Sequence, residues 1–252
     1  MNILLRDRPA LLLAETALAK ALDNQDLAAR VAVDLNPRAR RISLRVDPIN
    51  GRIVLVRPPR ASDRTVMAFI ADKAAWIKSH LETLPPRIAF VDGATLPYGG
   101  VDHIIRLRPE ARGGVWREGQ EIIVTGRPEH ARRRLQDWLK EQARSALTPL
   151  TYAFAAALGV NISRITVRDT RSRWGSCTRD GKIAFSWRLI LAPEMVLTYV
   201  VAHEVAHLKH MNHGPAFWRT VAKLLEGSPL EGDWTLAREW LRRGGAALHR
   251  YG

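Results

Sequence analysis

Residues 200–218 read VVAHEVAHLKHMNHGPAFW, and two features of that stretch decide how the chain is read. The first is helical spacing inside an apolar run. His203 and His207 are four apart, so on a helix they share one face about 6 Å apart along the axis, and two imidazoles can converge on one ion. Glu204 sits beside the first of them, placed to activate a water without binding metal itself. An apolar helix tolerates two His and a Glu only when they are paired, hydrogen-bonded or metal-bound. The second feature is the stop. Asn212 tolerates a left-handed backbone and Gly214-Pro215 does not extend a helix, so the chain should turn and bring His213 back toward the metal. His210 would stay on the helix face but lies about 10 Å along the axis from His203, an awkward span for one ion.

The predicted site is therefore zinc on His203, His207 and His213, with Glu204 activating the catalytic water. Three His with an open fourth position is the catalytic arrangement, whereas structural zinc sites are closed and usually rich in Cys. Cys177 is the one cysteine of the chain, which excludes both a cysteine-rich zinc site and an intrachain disulfide and points to a reducing compartment. The metzincin pattern expects Gly three residues after the second His, and that position is His210 here.

Working outward, Pro193 opens the helix that carries this motif. Ahead of it, SRITVR (163–168) and KIAFSW (182–187) read as strands, the second entered through an Asp180-Gly181 turn. Between them, Arg168, Arg171 and Arg173 precede Trp174-Gly175. Residues 171 and 173 fall on one side of an extended segment, so Arg171 and Arg173 are candidates to hold a substrate carboxylate, phosphate or oxyanion. The same arginines can instead pair with Asp169 or Asp180, or stack on Trp174 or Trp187. Cys177 reads as a small buried residue, and Phe217 and Trp218 as core residues that fix the turn. Upstream, Pro128 starts a long helix to about Leu158 with a stripe of Leu135, Trp138, Leu139 and Ala143, which Pro149 should kink or divide. Helices near 215–226 and 235–243 close the chain.

The first half is a small sheet plus a helix. Residues 41–57 alternate apolar and polar around Asn50-Gly51, a hairpin signal. Ser62 and Asp63 offer caps to a helix carrying Val66, Phe69, Ile70, Ala74 and Ile77, which ends near Pro85-Pro86. HIIRLR (103–108) and EIIVT (121–125) predict further antiparallel strands. The expected architecture is α+β, with an N-terminal, mostly β subdomain (1–127) packed with a zincin-like catalytic domain (128–252) of helices and a small antiparallel sheet.

The 252 residues are 46% apolar and 25% charged, a globular composition. The 39 Lys and Arg against 25 Asp and Glu give +14, a field that attracts anionic partners such as nucleic acid or nucleotides, although the charge is dispersed, as on many soluble cationic proteins. No apolar run approaches the roughly 18 to 20 residues of a membrane span, and the first residues lack a clean secretory signal, so the expected location is cytoplasmic. Oligomeric state is not legible.

The combination of RDTRSRWGSC (168–177), HEVAHLKHMNHGPAFW (203–218), the N-terminal ribbon and WIKSHL (76–81) resembles the YgjP-like metallopeptidase family, relatives of the SprT-like and WLM minimal zincins. The resemblance implies zinc on His203, His207 and His213, Glu204 as general base, and a catalytic C-terminal part from about residue 130. It leaves three substrate classes to weigh: a peptide or protein, a nucleotide or other phosphate ester hydrolysed at the same metal, or a protein cleaved by a DNA-associated SprT-like protease.

Overall fold

The computed structural model describes residues 31–46, 53–82, 88–170 and 173–252. The chain divides into two compact units, residues 1–86 and 87–252.

In the first unit, β1 (Val31–Leu35), β2 (Ser43–Val46) and β3 (Ile53–Arg57) form a sheet in the order β1-β3-β2. β2 pairs antiparallel with β3, Ser43 opposite Val56 and Val46 opposite Ile53, as the hairpin reading requires. The Asn50-Gly51 turn lies outside the described residues, as does Pro85-Pro86. β1 adds in parallel on the other side of β3. Helix α1 (Asp63–Glu82) begins where the Ser62 hydroxyl accepts the Thr65 N–H at 3.2 Å, a side-chain cap for one of the helix's open donors. Ile53 and Leu55, on one face of β3, share a core with Val66, Ile70 and Ile77 of α1.

The second unit begins with β4 (Thr95–Tyr98), β5 (Val101–Arg108), β6 (Val115–Glu118) and β7 (Glu121–Thr125), in the order β4-β5-β7-β6. The purely antiparallel expectation fails here, because β7 lies parallel to β5, Ile104 opposite Glu121 and Arg108 opposite Thr125. Ile122, Ile123 and Val124 are all buried, a run covered on both faces that suits a central strand, and β6, with no fully buried residue, takes the edge. These strands share one core with the C-terminal helices: Leu96, Ile105, Ile122 and Val124 cluster with Leu135 and Leu139.

A 3-10 turn at Pro128–His130 leads into α2 (Ala131–Leu158). Its buried row of Leu135, Leu139, Ala143, Leu147, Thr151 and Ala155 recurs every four residues. The expected division at Pro149 does not occur. Pro149 and Ser145 are both exposed, so the carbonyl deprived of its donor can turn to water. Gly159, at φ 64°, ends the helix in a left-handed cap.

Three short strands follow: β8 (Arg164–Arg168), β9 (Gly175–Cys177) and β10 (Lys182–Ser186), in the order β8-β10-β9. β10 is antiparallel to β9 and parallel to β8, so the small sheet is mixed rather than antiparallel. The cause is local. β9 and β10 form a hairpin closed by the Gly181 N–H on the Thr178 carbonyl at 3.0 Å, and β9 lies on the side of β10 away from β8. After the buried 3-10 segment Trp187–Leu191 comes α3 (Glu194–Ala206), buried on nearly every side. Helices α4 (Pro215–Leu224) and α5 (Thr235–Leu248) pack against it, as do α2 and β9. Among the described residues no helix is long and apolar enough to cross a membrane.

Candidate metal centre

The last turn of α3 presents His203 and Glu204, and His207 is its C-cap. The helix ends there, and after a turn Gly214 is extended (φ −77°, ψ 179°) and Pro215 starts α4. The intervening turn returns His213 to the two helical imidazoles. One ring nitrogen from each of His203, His207 and His213 lies within 4.8 Å of the others, and Nε2 of His203 and Nε2 of His213 are 3.1 Å apart. His210 contributes its backbone instead of its ring. Its carbonyl accepts the Nδ1–H of His207 at 3.0 Å, which leaves His207 Nε2 as the free donor nitrogen, the way an outer partner usually orients a metal-binding His.

Phe217, fully buried in the first turns of α4, lies beneath all three rings, with centroid distances of 4.9 Å to His203, 4.6 Å to His207 and 4.7 Å to His213. Burial, with His207 and His213 close by, pushes the His203 imidazolium down to about 3, and burial likewise lowers His207. His203 and His207 are thus held toward the neutral form, the form that binds metal. Three imidazoles converging with no carboxylate or thiolate among them fit a borderline-soft ion such as zinc, whose nitrogen ligands sit at about 2.0–2.1 Å.

Glu204 is 6% exposed. Burial raises its carboxyl to about 8, with the positive charge of Arg173 acting the other way. Its carboxyl fits against Gly175 of β9, where an added Cβ would lie 2.5 Å from Oε1 and 2.5 Å from Cγ of Glu204. Gly175, Arg173 and Cys177 join the three His and Glu204 around one open cleft of about 520 Å³. A larger cavity of about 930 Å³ lies toward the first turn of α3, lined by residues such as Tyr98, Pro149 and Leu197. It contains none of the His cluster or Glu204, so size does not mark the reactive centre.

Of the two candidate arginines, Arg173 is exposed and faces the cleft, while Arg171 lies outside the described residues. Asp169 pairs with Arg188 and Asp180 with Lys182, so neither acid is taken by Arg173, which makes no ion pair with any described residue. Cys177 lines the cleft, but burial and then the charges of Glu204 and Asp180 push its thiol up to about 11.

The YgjP-like family, described as a YgjP-like metallopeptidase domain, matches residues 40–244. This chain belongs to the YgjP-like metallopeptidase family. Membership supports a metallopeptidase, a class of hydrolase, and implies a metal ion; the three His form a group able to hold one. No curated protein matches the chain. Among solved structures, the crystal structure of the metallopeptidase zymogen of Pyrococcus abyssi abylysin is similar at 21% identity, over 38% of this chain and 94% of that chain, with a TM-score of 0.33.

Sequence reasoning missed the contact of Gly175 with Glu204 and the aromatic packing behind the YgjP-like cluster, where Tyr199 stacks on Trp234 and Trp234 on Trp218. The Trp174-Gly175 dipeptide was the available signal for the first. The second had none, since it joins three separate segments.

Proposed function

We propose that the chain is a zinc-dependent peptidase in which His203, His207 and His213 hold the ion and Glu204 is the general base. The observation that supports this reading best is the convergence of three imidazole nitrogens within 4.8 Å in a cleft shared with a buried carboxyl. Zinc, when bound, supplies a Lewis acid that polarises a carbonyl and acidifies water. The protein's own residues do the rest. Glu204 takes a proton from the attacking water as its oxygen adds to the scissile carbonyl carbon, and returns it to the leaving nitrogen as the C–N bond breaks. Arg173, on the rim, supplies a fixed positive charge to a substrate oxygen or carboxylate, and Arg171, two residues away in the same segment, is the second candidate. His210 orients His207 through its carbonyl, and Phe217 keeps the three rings in register.

Family membership favours a peptide or protein substrate over the nucleotide, phosphate-ester and DNA-associated alternatives. The test is Glu204→Gln. It should retain zinc and lose turnover of a peptide mixture, and unaltered turnover would remove Glu204 from the mechanism.

A further inference from the structure

A second, smaller cavity of about 190 Å³ adjoins the cleft. It shares Gly175, His203 and Glu204 with the cleft, and its walls include Trp174, Tyr199 and Leu241. This is less than the ~300–1,000 Å³ of a pocket that takes a whole small ligand, so the space suits one side chain. Its walls are stiff. Trp174 stacks on His249 with ring centroids 4.8 Å apart. An added Cβ on Gly245 would sit 3.0 Å from Cζ2 of Trp174, so the missing side chain of Gly245 is what lets the indole lie there. Tyr199, 5% exposed, stacks nearly parallel on Trp234 (4° between planes), which is stacked in turn on Trp218. Two anchored aromatic rings and a leucine make an apolar recess that Glu204 borders.

Position then assigns the occupant. In the proposed mechanism, on which this inference rests, Glu204 delivers its proton to the leaving nitrogen. The residue that supplies that nitrogen must therefore lie beside Glu204, which borders the recess. We propose that the recess receives the side chain of that residue, and that the enzyme cleaves peptide bonds preceding a large apolar residue of Leu or Phe size. Trp174, Tyr199 and Leu241 set the preference. Leu241, half-buried on α5, is the wall farthest in role from the chemistry, so it is the residue to change.

The experiment compares kcat/KM of the zinc-loaded protein on matched peptides carrying Phe, Ala or Asp immediately after the scissile bond. In the wild type, Phe should exceed Ala at least ~10-fold, as a filled apolar pocket gives per lost methylene or more, with Asp lowest. Leu241→Trp, which fills the recess, should remove the Phe advantage, so that the Phe and Ala peptides are cleaved with equal kcat/KM. Leu241→Phe, a smaller intrusion that guards against misfolding, should remove part of it. Equal rates on Phe and Ala peptides in the wild type, or a Phe preference untouched by both variants, overturn the assignment. Calorimetric titration with phenylalaninamide reads the recess without turnover. Binding by the wild type that is lost in Leu241→Trp supports it even where no peptide is cleaved, an outcome that sinks the hydrolase reading alone. Absence of binding to the wild type, or equal binding to both, overturns the recess.

Discussion

Gly175 and Glu204 are in such close contact that a Cβ on the glycine would lie 2.5 Å from the Oε1 of the glutamate. The backbone of β9 is thus the wall against which the carboxyl is seated, and a hydrogen is the one substituent that leaves it there. Gly175→Ala must push Glu204 aside. A displacement of about 1 Å at a catalytic group costs on the order of 100-fold in rate. The variant should lose that much peptide turnover while its zinc content stays at the wild-type level. Turnover within error of the wild type would show that Glu204 is not held at Gly175 during the reaction.

Phe217 supports the three imidazoles from below. Phe217→Ala removes a fully buried ring, for which about 3–5 kcal/mol of stability is expected to be lost, and it also frees the three imidazoles it touches to rotate. Chemical denaturation should show the first effect and weakened zinc retention against a chelator the second. Phe217→Leu, which keeps most of the volume, should recover stability more completely than zinc retention. Parallel recovery of both would reduce Phe217 to an ordinary core residue.

Cys177 lies in the cleft, yet its thiol is raised to about 11. A raised thiol pKa leaves little thiolate at neutral pH, and thiolate is the reactive form. Alkylation of the metal-free protein by iodoacetamide should be slow at pH 7 to 8 and accelerate as the pH approaches 11. Cys177→Ser should keep its peptidase activity. Fast labelling at pH 7, or loss of turnover in the serine variant, would mark Cys177 as a participant.

Gly159 offers a control remote from the chemistry. Its φ of 64° closes α2, and a side chain in that conformation costs about 1–2 kcal/mol. Gly159→Ala should lower the melting temperature without altering zinc content or kcat/KM.

Much of the site was readable because its logic is local. The spacing of His203 and His207 is a helix period, and Asn212-His213-Gly214-Pro215 spells a turn, so the gathering of three imidazoles follows from adjacent residues. The competition between His210 and His213 was also local, and the carbonyl of His210 on His207 shows why that residue stays close without offering its ring. What was not readable depends on order in space. β7 slips between β5 and β6, and β9 takes the outer edge beyond β10, because pairing order is set by which strand must be buried and not by sequence adjacency. Continuous burial of Ile122, Ile123 and Val124 was the overlooked cue, since their run is unbroken where a one-sided strand would alternate. The same limit hid the seat of Glu204 on Gly175 and the recess walled by Trp174, Tyr199 and Leu241, each assembled from separate segments.

Whether His203, His207 and His213 together hold one catalytic zinc ion is tested most directly by elemental analysis of the purified wild type beside His213→Ala. About one zinc per wild-type chain is expected, with a strongly reduced content in the variant, as follows when one of three protein ligands is lost. A wild type free of metal after gentle purification, or a His213→Ala protein with undiminished zinc, would contradict the three-His zinc site.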